Sequence, residues 1–279
     1  MKQLAIAALI FFACASSPSA RSPGEKTFVG GGAGRLRVSD GGDGGVPVVF
    51  HHGLGSDRTC WQAQLDHLRA TRRAVAFDAR GHGESDRAPV YSIGALADDL
   101  DRVVTQLGIS RFVLVGHSFA GTVLSAYAGR HPEKLAALVY VDAVGDASST
   151  PAEVKEYFRK QDAAVTAQKL QELYGTILGP KAKPETRRRV LAAAAQLDVP
   201  AFAMLRAEMG DFRAKEALAP FKGPKFAIDA EGNESPVLAA HLSGVQRHTI
   251  PGVSHWLMLD DPAAFNEVLD EVLAVASVR

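Results

Sequence analysis

The sequence predicts an α/β fold: a mostly parallel sheet with helices on both faces and a helical insertion between two core strands. Three observations predict it. Short β-branched runs alternate with helical patterns from Leu36 to the C-terminus. That alternation stops between about Ala147 and Pro220, where the patterns are helical only. A serine, Ser118, stands between small residues at a strand-to-helix turn.

The strands read in order as Leu36-Val38, Val46-Phe50, Ala74-Phe77, Phe112-Val115, Leu138-Val141, Phe226-Ile228 and Arg247-Ile250. Each is a short apolar or β-branched run bounded by polar or glycine-rich turns, such as Asp40 to Gly45. The helices between them read as Trp61-Leu68, Ile93-Leu107, Thr122-Arg130 and Pro262-Val275. In the insertion, Thr150-Pro151-Ala152-Glu153 has the form of a capping box with proline in the first turn. Leu170-Leu178, Glu185-Leu197 and Ala201-Met209 continue it as helices. Gly30, Gly31, Gly32 and Gly34 lack nucleotide-binding spacing and read as a flexible lead-in.

Residues 1–20 are expected to lie outside this fold. Lys2, an apolar run from Leu4 to Ala15 and small residues to Ala20 form the pattern of a secretory signal peptide, cut after Ala20 or Ala15. A secreted or periplasmic protein follows. A lipoprotein anchor at Cys14 is the alternative, against which Phe11-Phe12-Ala13 is a poor match. The remainder divides into a first core part (21–146), a helical cap (147–220) and a second core part (221–279). Without the leader, Cys60 is the sole cysteine, so no internal disulfide is expected and Cys60 reads as a packed thiol. The 31 basic and 31 acidic residues balance, which gives no case for a nucleic-acid partner. Arg187-Arg188-Arg189 reads as a solvated helix face. No transmembrane segment is expected in the mature chain, and its oligomeric state is not legible.

The chemistry-bearing segments lie at strand ends. Gly116-His117-Ser118-Phe119-Ala120-Gly121 follows an apolar strand and precedes a helix. A nucleophile elbow needs small residues two positions either side of the serine, and Gly116 and Ala120 supply them. Alanine rather than glycine at the second position is a mild departure. His51-His52-Gly53-Leu54-Gly55 follows another strand and suits an oxyanion turn, with the backbone N–H groups of Leu54 and Phe119 as donors. His255, in Pro251-Gly252-Val253-Ser254-His255-Trp256, follows the last strand and is the candidate base. Trp256 is expected near the site entrance.

These segments, with Asp78-Ala79-Arg80-Gly81-His82-Gly83-Glu84-Ser85, resemble the α/β-hydrolase superfamily from about Val46 to the C-terminus, the cap excepted. The resemblance implies a serine hydrolase with no metal or organic cofactor. Serine at the elbow, where related dehalogenases and epoxide hydrolases carry aspartate, argues against those chemistries.

The third catalytic member departs from the common pattern. Similar hydrolases carry their acid in a loop after the strand that follows the cap, and here that position falls on Asn233. A slip of one or two residues recruits Glu231 or Glu234. Some members of the superfamily instead use the end of the strand before the cap, where Asp142 lies 24 residues after Ser118. Asp142 is the first choice, ahead of Glu231 or Glu234, then Asp146 or no acid at all. The expected activity is cleavage of a small-molecule carboxylic ester or lactone. Amidase, cofactor-free perhydrolase or acyltransferase chemistry, and a non-catalytic ligand-binding role, are the alternatives.

Overall fold

The computed structural model describes residues 26–31 and 34–277. The leader expectation, with Cys14, lies outside the described residues. The strands are β1 (Lys26–Gly31), β2 (Gly34–Gly41), β3 (Val48–His51), β4 (Ala74–Phe77), β5 (Phe112–His117), β6 (Leu135–Val141), β7 (Lys225–Ala230) and β8 (Val245–Ile250). They form one sheet in the order β1-β2-β4-β3-β5-β6-β7-β8. From β4 to β8 every pairing is parallel, and β1 and β2 add an antiparallel edge. Gly30 and Gly31 therefore end one strand and Gly34 begins the next, where a flexible segment was expected. Gly30 and Gly31 pair with Arg35 and Gly34, so β2 supplies the ladder partners that a lone glycine-rich segment lacks.

The helices are α1 (Gln62–Leu68), α2 (Ile93–Gln106), α3 (Ala120–Arg130), α4 (Ala152–Ala163), α5 (Ala167–Leu178), α6 (Pro184–Ala194), α7 (Val199–Asp211), α8 (Ala214–Leu218), α9 (Leu257–Asp260) and α10 (Pro262–Ser277). The central strands are buried on both faces, which explains their unbroken apolar runs. Side chains alternate between two cores. Phe112 and Leu114 of β5 and Tyr140 of β6 join α2 and α3 in one core. Val113, Val115 and Val139 join α1 and α10 in the other.

Helices α4–α8 lie between β6 and β7 and form the helical cap. The box expected at Thr150 does not form: α4 begins at Ala152, with Pro151 at the cap position and no side-chain cap bond. The Thr150 N–H instead donates to Ala147 O in a preceding turn, which carries the chain away from a capping geometry. The chain that leads into the cap is tied to the loop after β7. Gly145 N–H donates to Val237 O at 2.7 Å, and Ala239 N–H to Ala143 O at 2.8 Å.

Parallel register brings the strand ends into line. His51 pairs with Gly116, His117 with Val141, and Val141 with Ile228. The residues that follow (52–55, 118–119, 142 and, after β7, 231–233) therefore leave the sheet along one edge, the carboxyl edge where ligands bind in open α/β sheets.

Candidate active site

Among the described residues, Ser118 (φ 56°) and Asp142 (φ 43°) are the only non-glycine residues in the left-handed region. Such backbone costs on the order of 1 kcal/mol or more per residue and persists only where surrounding bonds fix it. Those bonds are present. Ser118 N–H donates to Val141 O, and Ser118 O accepts from the N–H groups of Gly121 and Val144. Asp142 N–H donates to Ile228 O at 2.9 Å.

The elbow also rests on two glycines. A Cβ on Gly116 would meet Leu124 Cδ1 at 2.4 Å and Ala120 Cβ at 3.1 Å, so the methyl at Ala120 is accommodated because residue 116 has none. A Cβ on Gly121 would sit 2.1 Å from Val144 O, a backbone atom.

Three side chains meet at this edge. Ser118 Oγ–H donates to His255 Nε2 at 2.9 Å, and His255 Nδ1–H donates to Asp142 Oδ2 at 2.7 Å. The second oxygen, Asp142 Oδ1, accepts from Ala230 N–H at 3.1 Å and from Asn233 Nδ2 at 3.0 Å. Burial works against the Asp142 charge, but the bonds from His255, Asn233 and Ala230 prevail and hold its carboxyl below the ordinary range. Glu234 faces Arg247 at 3.4 Å, and Glu231 is exposed. Asp146 accepts from Ser148 and from Lys215 N–H, at the base of the cap.

His117 braces the base. Its Nε2–H donates to His255 O at 2.8 Å, and the two rings pack at a tilt with centroids 4.6 Å apart. Burial, helped by neighbouring His255, pushes the His117 pKa down to about 3, so the ring stays neutral. The turn after β3 is fixed in a similar way. His52 Nδ1–H donates to Gly53 O, while its Nε2 accepts from Ala79 N–H at 3.0 Å. Burial first, then its histidine neighbours, hold His52 well below the usual imidazole pKa.

The Leu54 and Phe119 backbone N–H groups have no acceptor among the described residues. Both residues line a cavity of about 510 Å³ between the sheet edge and the cap, together with Ser118 and His255. Two free backbone donors beside a serine–imidazole pair form a geometry suited to an oxyanion.

Residues 48–268 match the alpha/beta hydrolase family. The chain belongs to that family. It is 26% identical over 262 residues to the sn-1-specific diacylglycerol lipase ABHD11 of Mus musculus, covering 84% of this chain and 83% of the relative. Among solved structures, a thermophilic esterase from Thermogutta terrifontis is similar in fold at a TM-score of 0.75 and 22% identity, covering 91% and 99% of the two chains. The enol-lactonase of Burkholderia xenovorans LB400 is similar at a TM-score of 0.77 and 19% identity, covering 90% and 100%.

Within this family member, the cap supplies residues that sequence reasoning could not sort. Phe158, Leu173, Tyr174, Ile177, Phe202 and Met209 line the cavity, whereas Leu178 and Leu205 are buried in the cores and Met204 is exposed. Tyr174 OH donates to Leu54 O at 2.5 Å and so ties α5 to the turn after β3. Trp256 is buried, lines the same cavity and meets the His255 ring edge-on, with centroids 4.9 Å apart. Cys60 is buried, and burial pushes its thiol far above the usual range, which fits an inert packed cysteine. Among the described residues no cluster of His, Cys, Asp and Glu could hold a metal ion, and no single helix is long and apolar enough to cross a membrane.

Proposed function

We propose that this chain is a serine hydrolase that cleaves a carboxylic ester or lactone through an acyl-enzyme on Ser118. The observation that carries the reading is the continuous chain Ser118 Oγ–His255 Nε2, His255 Nδ1–Asp142 Oδ2, with separations of 2.9 and 2.7 Å. Ser118 Oγ attacks the carbonyl carbon while its proton passes to His255 Nε2. The developing oxyanion accepts from the N–H groups of Leu54 and Phe119. Collapse breaks the bond to the leaving alkoxide, which takes the proton from His255. Water then attacks the acyl carbon, giving its proton to His255, and the acid leaves as Ser118 is regenerated. Asp142 holds the ring in the tautomer with a proton on Nδ1 and stabilises the imidazolium.

The esterase and lactonase folds among the relatives support the substrate class at this coarse level. The direct test is a fluorophosphonate probe with the adduct mapped by mass spectrometry. Labelling at Ser118, lost in Ser118→Ala together with turnover of p-nitrophenyl esters, is the expected result. An unlabelled, folded protein would overturn the reading. The pattern of residues 1–20 supports an exported enzyme. Intact mass of the protein from its native host checks this, and a retained leader would sink it.

A further inference from the structure

The cavity over Ser118 is lined mostly by apolar side chains, yet three cations reach it: Lys155, Arg159 and Arg206. Two of them are occupied. Lys155 Nζ donates to Ser148 O at 2.7 Å, and Arg159 Nη2 donates to Asp211 Oδ2 at 2.5 Å. Arg206 differs. Its guanidinium lies over the rings of Phe158 at 5.0 Å and Phe202 at 5.5 Å. Its single ion-pair contact is Nε to Asp162 Oδ2 at 3.2 Å, and among the described residues no hydrogen bond engages any of its nitrogens.

The physical consequence is a fixed, unsaturated cation. Two aromatic faces, one from α4 and one from α7, hold the guanidinium by cation–π attraction, which restrains the plane without consuming N–H donors. A guanidinium offers five such donors in a planar fork that matches a carboxylate two bonds at a time. With Asp162 near the Nε edge, the two Nη groups keep their donors available. The cavity lining carries three basic residues and two acidic ones (Asp162 and Asp211), so its balance favours an anionic ligand.

We infer that Arg206 is a specificity residue that selects esters or lactones carrying a carboxylate remote from the scissile bond. The inference rests on the serine-hydrolase reading and narrows its substrate class. The apolar cavity wall takes the carbon skeleton, and the Arg206 fork takes the anionic end. Asp162 acts in the opposite sense, since its carboxylate sits beside the position the ligand charge occupies.

The test compares two probe pairs that differ only in charge at the far end. One pair is the p-nitrophenyl half-ester of adipic acid and its methyl ester, with the charge on the acyl side. The other is 6-acetyloxyhexanoic acid and its primary amide, with the charge on the alcohol side. The expected result is a charged-to-neutral ratio of kcat/KM of about tenfold or more in at least one pair, the size of a charge-assisted bond. In that pair Arg206→Met lowers the ratio about tenfold or more, and Asp162→Asn raises it. Because each ratio is taken within one variant, a general loss of activity cancels. A wild-type ratio at or below one in both pairs overturns the proposal, as does a ratio that Arg206→Met leaves unchanged. No turnover of any of the four probes, with Ser118 unlabelled by fluorophosphonate, is instead the failure of the serine-hydrolase reading.

Discussion

Asn233 Nδ2 donates to Asp142 Oδ1 at 3.0 Å, across the gap between the ends of β6 and β7. The loop after β7, where similar hydrolases carry their acid, thus supplies an amide that holds a carboxylate rooted on the neighbouring strand. The amide leaves Asp142 Oδ2 free for His255 and adds no charge of its own. Arg247, bonded to Asn233 O and to Asp229, steadies that loop from outside.

If Asp142 is the acid, Asp142→Asn removes the charge and presents the wrong tautomeric partner to His255 Nδ1. A fall of about 10⁴ in kcat is expected, with the fold intact. Glu231→Gln, on an exposed side chain, changes kcat little. Steady-state kinetics on one ester with both variants decides between them, and the reverse pattern would move the acid to the later loop.

Asn233→Asp probes the pair itself. A second carboxyl some 3 Å from Asp142 Oδ1 cannot ionise freely beside a like charge, so the two share a proton at low pH. In that form the new carboxyl donates to Oδ1 much as the amide does. As pH rises the proton is lost and repulsion replaces the bond. Activity relative to wild type is therefore expected to fall steadily between about pH 6 and pH 9. A ratio independent of pH would show that residue 233 does not govern the acid.

Tyr174 links the cap to the oxyanion turn through its bond to Leu54 O. Tyr174→Phe keeps the packing but frees the turn, so kcat is expected to drop about tenfold, less than loss of a whole oxyanion donor. The stability cost is about 1 kcal/mol, the net value of one hydrogen bond. Parallel measurement of kcat and urea midpoint checks both. Unchanged kcat with lowered stability would assign Tyr174 to cap attachment alone.

The sheet was legible because β5 and β6 are buried on both faces and so carry unbroken apolar runs. Edge strand β1 was not, since a segment ending in glycines has little pattern of its own and is ordered by pairing with β2. Ser118 and His255 could be picked from strand ends because each follows a parallel strand in a short, glycine-containing turn. Which carboxylate faces His255 could only be ranked, with Asp142 ahead of Glu231 or Glu234. That depends on the register of β6 against β7, where Val141 meets Ile228, and on the left-handed backbone of Asp142. Neither quantity is written in local sequence. The cap was legible only as helices: α5 and α7 present Tyr174 and Arg206 to the cavity through tertiary packing that their helical periodicity does not encode.

Gly121→Ala should unfold the elbow. The added Cβ would sit 2.1 Å from Val144 O, and both Gly121 N–H and Val144 N–H bond to Ser118 O, so backbone has to move where the serine is held. A loss of about 3 kcal/mol with abolished labelling of Ser118 is expected. Ala120→Gly, which opens no such clash, costs only about 1 kcal/mol through helix propensity. Urea denaturation of the two variants separates them, and equal stability would mean that the contact between α3 and the chain after β6 can relax.

The buried histidines predict an acid-sensitive fold. Burial lowers the pKa of His51 to about 4 and that of His117 to about 3, each from an ordinary value of 6.5. As pH falls below 6.5 the unfolded chain takes up protons that these folded rings refuse, so their contribution to stability is full above that value. It is lost progressively down to about pH 4 for His51 and about pH 3 for His117. Asp229 works the other way: burial and neighbouring Asp142 raise its carboxyl to about 6, so it gains stability as pH falls through that range. His52 and His82, also held low by burial, act with His51 and His117 against the one carboxyl, so a net loss of stability is expected as pH falls from about 6 to 5. Urea midpoints across that interval measure the slope, and ring nitrogen chemical shifts report each histidine directly. Titration of His51 or His117 near pH 6.5 in the folded protein would remove the basis of the prediction.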